Sequence, residues 1–116
     1  MSEEFSAGGL SWAPPACNLP TAGQPLRVAE FDELFAAATR QIERRDSSRL
    51  AVELVCDTQV AVRAASLAVR ETGCCSFFTF ALPAAGGRLT LEVSVDDGHT
   101  GVLDALAERA AAGAAR

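Results

Sequence analysis

Basic residues are scarce in this chain, and those present are not clustered. Lys and Arg together number 10 against 15 Asp and Glu, for a formal net charge of −5. The longest basic run is Arg44-Arg45. Nucleic-acid backbones select for clustered positive charge. We therefore expect no nucleic-acid partner.

Long apolar segments are also lacking. No window approaches the roughly 20 apolar residues of a membrane span. The first residues, Met1-Ser2-Glu3-Glu4, are acidic where a secretory signal is basic. These absences predict a cytoplasmic protein with no membrane partner. Thiols stay largely reduced in that compartment, so the four cysteines predict metal binding or reactive thiols rather than a disulfide framework.

Recognisable catalytic patterns are missing as well. The single histidine, His99, lies in a polar turn, where we expect it to be solvated. Asp96-Asp97 is interpreted as a turn and helix cap. No Ser-His-acid set, phosphate-binding loop or paired-carboxylate pattern stands out. We therefore predict no catalytic residues and no organic cofactor, and the sequence favours a binding protein over an enzyme.

What is present is the composition of one globular domain. The chain has 116 residues, 49% of them apolar, which is enough for a core without disulfide bonds. Residues 1–24, rich in Pro and Gly, predict an irregular N-terminal arm. Residues 25–112 predict a single α+β domain, and residues 113–116 a frayed tail.

Apolar periodicity predicts three helices. The first has apolar positions three and four residues apart from Val28 to Ile42. The second spans residues 58–72, capped by Asp57 or Thr58, and Gly73 occupies the place of a C′ glycine. The third has an apolar face of Val102, Leu103, Leu106 and Ala110.

Three strands are predicted, at residues 49–55, 77–82 and 88–95. The last alternates most clearly and follows a hairpin at 83–87. The order α-β-α-β-β-α predicts a three-stranded mixed sheet packed by helices, with a right-handed parallel crossover, partly similar to a ferredoxin-like fold. Whether the last strand lies centrally or at an edge stays open. Cys56, at the end of the first strand, is interpreted as a small buried apolar residue.

The most distinctive segment is Glu71-Thr72-Gly73-Cys74-Cys75-Ser76-Phe77-Phe78. Thiolates are soft ligands that favour Cu(I), Zn and similar ions. Both cysteines can address one ion only if they precede the strand, because adjacent strand residues point to opposite faces. The helix C-terminus and Glu71 oppose a bare thiolate, so a bound cation fits better there than a redox or nucleophilic cysteine.

Cys17-Asn18-Leu19, followed by a long helix and then Glu71-x-x-Cys74-Cys75-x-Phe77-Phe78, resembles a poorly characterised family of small bacterial proteins. Members show an N-terminal Cys and a Glu-x-x-Cys-Cys-Pro-Phe segment, where this chain has Ser76 in place of Pro. The resemblance carries no activity. It implies that Cys17, Cys74 and Cys75 belong together.

The first hypothesis is therefore a small protein that binds a soft metal or metalloid ion of the Zn, Cu(I), Hg or As class. Its predicted ligands are Cys17, Cys74, Cys75 and Glu71, and its predicted partner is that ion or a small thiol-reactive ligand. A noncatalytic interaction domain with structural cysteines is the alternative. A thiol-dependent enzyme acting on a small molecule is the third.

Overall fold

The fold is described here from a computed structural model covering residues 24–115, with side chains from Val28 onward except that of Cys74. We number the elements in chain order: α1 (Gln24–Ala38), β1 (Thr39–Asp46), β2 (Arg49–Leu54), α2 (Thr58–Cys74), β3 (Phe78–Ala81), β4 (Ala84–Ala85), β5 (Arg88–Val95) and α3 (Thr100–Ala114). A short 3-10 turn, Asp97–His99, precedes α3. The class is α+β, as the sequence predicts.

The sheet differs from the predicted one in size and direction. It has five strands in the order β1-β2-β5-β3, with β4 also paired to β5, and every pairing is antiparallel. The prediction of a three-stranded mixed sheet is therefore wrong. β5 separates β2 from β3, so these two parallel strands do not pair with each other. The unit β2-α2-β3 is thus a split crossover, an arrangement that ferredoxin-like folds also contain.

The added strand is β1, which the sequence assigns to the first helix. That helix ends at Ala38, whose carbonyl accepts a hydrogen bond from the backbone N–H of Val55 at 2.8 Å. Ile42 continues the helical spacing but lies on β1, opposite Val52 of β2. From there it packs against the core. Pairing with β2 has overridden the local helical pattern.

One face of the sheet packs against the helices and forms the core. The alternating residues of β5 point to this face, and each pairs with a β2 or β3 residue of the same orientation. The clear alternation in the sequence predicted this face. The fully buried large side chains include Phe31, Leu34, Phe35, Leu50, Val52, Leu54, Leu91, Val93, Leu103 and Leu106. No helix within residues 24–115 is long and apolar enough to cross a membrane.

Helix α3 crosses α1 at close range near its C-terminal end. Gly113 is buried there, although residues 113–116 were predicted to fray. A Cβ atom at this position would lie 2.7 Å from Cβ of Phe35 and 3.0 Å from the backbone nitrogen of Ala36. Along the same interface Arg109 donates two hydrogen bonds to the Asp32 carboxylate, at 3.0 and 2.7 Å. The last turn of α3 is therefore packed against α1. Only glycine fits at position 113, because a Cβ atom there would be too close to Phe35 and Ala36.

Two tight turns shape the sheet. Gly86 and Gly87 have φ of 62° and 76°, the positive values that a two-residue hairpin needs, and they join β4 to β5. Between β1 and β2, the Asp46 carboxylate accepts hydrogen bonds from Arg49 at 2.7 Å and from the backbone N–H of Ser48 at 2.9 Å. These hydrogen bonds lower the pKa of Asp46 from 3.8 to about 2, and the bond from Arg49 has the largest effect.

Replacing Gly113 with Ala should destabilise the protein by roughly 1–3 kcal/mol, because the added methyl group overpacks the α1–α3 crossing. The matched control is Gly101→Ala in the same helix, where a new Cβ meets nothing within 4 Å. That change should be neutral or stabilising by up to about 1 kcal/mol. Urea denaturation measures both. Equal stability of the two variants would contradict the close crossing.

The Asp46 carboxyl should titrate near pH 2 when followed by NMR. Because its pKa is lowered on folding, its contribution to stability is present above the ordinary pKa of 3.8 and is lost as the pH falls toward 2. Arg49→Gln should move the pKa of Asp46 back toward 3.8. Arg45→Gln, a change on the same hairpin that removes no bond to Asp46, should leave it near 2. An Asp46 that titrates near 3.8 in the unaltered protein would count against this hydrogen-bonded turn.

Candidate thiol site at the end of helix α2

Helix α2 is built so that its last turn carries Glu71 and the cysteines. Its N-cap is Asp57, one of the two predicted caps, whose carboxylate accepts hydrogen bonds from the backbone N–H groups of Gln59 and Val60. Its buried stripe runs through Ala64 and Leu67 to Glu71. The predicted end at Thr72, with Gly73 as the C′ residue, is wrong, because the helix continues through Cys74.

Cys75 is the C-cap of α2 and lies three residues before Phe78, the first residue of β3. Its backbone is extended, with φ −125° and ψ 101°. Its N–H donates to the carbonyl of Glu71 at 2.7 Å, and its own carbonyl accepts from the N–H of Phe78 at 3.3 Å. Both Cys74 and Cys75 therefore precede the strand. This is the backbone arrangement that lets adjacent cysteines address one ligand.

The side chain of Cys75 is fully buried and belongs to the main apolar core. Its sulfur is disulfide-bonded. The sequence argument expected reduced thiols, so the pairing is a difference from that expectation. A disulfide is neutral, which suits a buried sulfur at the negative end of a helix.

Glu71 lies four residues before Cys75, one helical turn away. Only 2% of its surface is exposed, and it is the one charged residue buried in the described part of the chain. The apolar stripe predicted for α2 ends in Glu71, and in the structure this residue is buried.

Aromatic rings flank the site on the β3 side. Phe77 and Phe78 have ring centroids 4.8 Å apart, and the His99 ring stacks on Phe77 at 4.1 Å with an interplanar angle of 4°. Nδ1 of His99 also pairs with the Asp96 carboxylate. His99 is half-buried rather than fully solvated as expected, since 28% of its side chain is exposed.

The contact between Phe77 and His99 was missed because it depends on strand order. Phe78 is paired with Val95 at the end of β5. This register brings Phe77 to the turn that follows Val95. The sequence contains the signal, an aromatic residue just before one strand and a histidine just after another. The contact can be predicted from this signal only when those two strands are known to be neighbours.

The predicted ligands are only partly covered by the described residues. Cys17 and the side chain of Cys74 lie outside them, while Cys75 and Glu71 lie inside. Among the side chains that are described, no group of three or more His, Cys, Asp or Glu could hold a metal ion. Cys56 is free and exposed, so its interpretation as a buried residue is wrong. It lies in the loop beyond Leu54, where β2 has ended.

A concave surface, separate from the end of α2, lies on the sheet face opposite the helices. It is a polar depression of about 180 Å3 on β1, β2 and β5, lined by Gln41, Glu43, Arg45, Ala51, Glu53, Arg88 and Thr90. Charges of both signs cross it, as in the bond from Arg45 to Glu92 at 2.9 Å. The sequence analysis assigned no function to these residues.

Cys56 and Cys75 should differ sharply in how fast a thiol reagent labels them in the absence of reductant. Cys56 is exposed and free, so it should label within minutes, whereas Cys75 should label only after reduction and unfolding. Tandem mass spectrometry of tryptic peptides 50–63 and 71–88 locates the label, and fragment ions distinguish Cys74 from Cys75 in the second peptide. Rapid labelling of Cys75 in the folded, unreduced chain would be inconsistent with its burial and bonding.

Comparison with known proteins found no matching family model, no matching curated protein and no matching solved structure. The resemblance to small bacterial proteins with a Glu-x-x-Cys-Cys segment therefore stays a prediction. A functional conclusion has to come from the residues of the site, because a fold by itself does not specify function.

Proposed function

We propose that this chain is a thiol protein that binds a soft metal or metalloid ion in its reduced form, with Cys75 as the central sulfur ligand. The observation that supports the proposal is the disulfide at Cys75, because it brings a second sulfur next to this residue. Two sulfurs that are about 2.05 Å apart in a disulfide must move to about 3.8 Å apart to bind one tetrahedral ion at about 2.3 Å each, a change that rotation of the two side chains can supply.

The surroundings of Cys75 favour a cation over a bare thiolate. The sulfur is buried at the C-terminal end of α2, where the last carbonyls are partially negative, and Glu71 adds a carboxylate one turn earlier. A bound ion offsets the charge of the thiolates that hold it, so the sulfurs can be deprotonated at this end of the helix. A soft ion of the Zn, Cu(I), Hg or As class matches sulfur ligands.

The complete ligand set in this proposal is Cys17, Cys74 and Cys75 with Glu71 nearby. Two segments of the chain supply it, which would tie the N-terminal arm to the end of α2. Cys56 has no part, since it is exposed in the loop before α2.

The alternative is a noncatalytic interaction domain in which Cys75 is structural. Two observations favour it: the sulfur is within the core, and the helix-free face of the sheet presents the polar depression of mixed charge. In that case the open face would bind a protein partner. Nothing in the described residues favours the third hypothesis, a thiol-dependent enzyme.

Native mass spectrometry of the fully reduced chain tests the proposal. Zn²⁺, Cu(I) and arsenite are added separately, and we expect at least one to bind with one ion per chain. At a hundredfold excess over the dissociation constant, the bound ion should stabilise the folded chain by about 2.7 kcal/mol. If none of the three binds to a chain shown to be folded and reduced, the metal proposal is wrong and the interaction domain stands.

Variants identify the ligands. Cys75→Ala and Cys17→Ser should abolish the gain in stability, because neither replacement side chain is a soft ligand. Cys56→Ser is the matched control and should keep it. Circular dichroism of the ion-free variants separates loss of binding from loss of fold. Unchanged ion binding by a folded Cys17→Ser or Cys75→Ala chain would remove that residue from the ligand set.

A further inference from the structure

We propose that two copies of this chain associate through the free edge of β3, so that their two sheets join into one across a two-fold axis. This inference concerns a sheet edge and does not depend on metal binding. Among residues 24–115, β3 pairs with β5 alone, so one of its edges has no strand beside it. The unpaired backbone groups of such an edge are a template for a further strand.

The hydrogen bonds of β5 alternate between its two neighbours. The N–H of Val95 donates at 3.0 Å to the carbonyl of Ser48, which precedes β2. The N–H of Thr90 donates at 3.0 Å to the carbonyl of Pro83, which follows β3. Because hydrogen-bonded and non-hydrogen-bonded residue pairs alternate along an antiparallel ladder, the odd-numbered residues of β5 bond toward β2 and the even-numbered residues bond toward β3 and β4.

This alternation identifies the backbone groups on the free edge of β3. Thr79 and Ala81 lie opposite even-numbered residues of β5, so their N–H and C=O groups face β5. The same register continues into β4, and the backbone groups of Phe78, Phe80 and Leu82 therefore point away from β5. The N–H of Phe78 donates within the turn before β3. Both groups of Phe80 and of Leu82 are thus directed at the position of an added strand.

The side chains of this edge are matched to a second copy of the same strand. Phe78 and Phe80 share the core face with their β5 partners, and Phe80 and Leu82 pack against the core from its rim. A two-fold antiparallel pairing with Ala81 at the axis places Phe80 opposite Leu82 of the copy and uses the edge groups of both residues. Each core-facing side chain then meets a core-facing side chain of the copy, as a continuous sheet requires.

The charge of the chain restricts where a second copy can bind. Each chain has a formal net charge of −5, so two copies repel each other unless they meet at a surface without acidic residues. Residues 78–85, which form β3, β4 and the link between them, include no charged residue. A two-fold contact uses the same edge of both chains, so the assembly closes at two copies.

Helix α2 continues the uncharged surface above β3. The helix lies over β3, and its ion pairs through Arg63 and Arg70 identify the flank that faces α1. Helix α1 in turn packs on α3, which lies over β1 and β2, so the opposite flank of α2 faces past β3 and away from the other helices. With about 3.6 residues per turn, that opposite flank contains Ala61, Ala65, Ala68 and Thr72. In the two-fold pair, α2 and its copy face each other through these small uncharged side chains.

Hydrogen exchange of the full chain tests the edge directly. Amide exchange is followed by NMR at several protein concentrations, and sedimentation measures the oligomeric state at each. We expect a dimer in which the N–H groups of Phe80 and Leu82 are protected, and loss of that protection on dilution to the monomer. The N–H groups of Thr79 and Ala81 are the internal control, because they donate to β5 and should stay protected in both states.

Variants test the two parts of the interface. Ala65→Glu should shift the chain to the monomer, because the new carboxylate is buried without a partner against the copy. Ala81→Lys should do the same, because like charges then lie opposite each other at the axis. Ser66→Glu is the matched control for the helix and should leave the dimer intact, since Ser66 lines the groove between α1 and α2. Circular dichroism shows whether each variant is folded.

Four results would overturn the proposal. The first is a chain that stays monomeric at the concentrations used for NMR. The second is protection of Phe80 and Leu82 in the monomer, which would mean that another segment of the same chain pairs with β3. The third is a dimer in which these two amides exchange freely, and the fourth is a dimer held by a disulfide on a non-reducing gel.

Discussion

The pairing of β5 with strands on both of its sides is the constraint on which the remaining structure depends. β5 hydrogen-bonds to β2 along one edge and to β3 and β4 along the other. Its four inward residues, Leu89, Leu91, Val93 and Val95, are all buried. This strand therefore fixes both the sheet and the face that the helices cover. It also fixes the site, because the register of Val95 with Phe78 sets where α2 ends relative to the turn containing His99.

The end of α2 concentrates negative character around a buried sulfur. The helix carbonyls disfavour a thiolate at Cys75, and burial disfavours any uncompensated charge. Three arrangements avoid that cost: a protonated thiol, a neutral disulfide, and a thiolate bound to a cation. The structure holds the second. The proposed function uses the thiolate bound to a cation. The disulfide and the ion-bound form can interconvert through the protonated thiol when reductant and ion are supplied.

The sequence correctly predicted those helices and strands whose apolar spacing along the chain matches the structure that they adopt. The alternation of β5, the stripe from Ala64 to Glu71 and the Asp57 cap are local signals, and the structure has all three. β1 was missed because Ile42 extends a helical spacing by coincidence. Only its pairing with Val52 distinguishes a strand from a further helical turn.

For the site, the sequence could indicate the segment but not its surroundings. Glu71 and Cys75 were found from the helical stripe and the thiol pair. The stacking of His99 on Phe77 depends on strands that are not consecutive in the chain. The exposure of Cys56 depends on where β2 ends: it would share the inward face of Val52 and Leu54 if the strand continued, but β2 ends at Leu54.

The outer edge of the sheet is formed by β1, which within the described residues pairs with β2 alone. Its sequence, Thr-Arg-Gln-Ile-Glu-Arg-Arg-Asp, places charged side chains along most of that edge. A second polypeptide adding there as a further strand would have to desolvate these charges, and its own side chains would meet both signs within a few residues. Strand addition at β1 is therefore disfavoured. A peptide that bound by extending the sheet would find no apolar register to follow, so this edge resists fibril-like growth between copies of the chain.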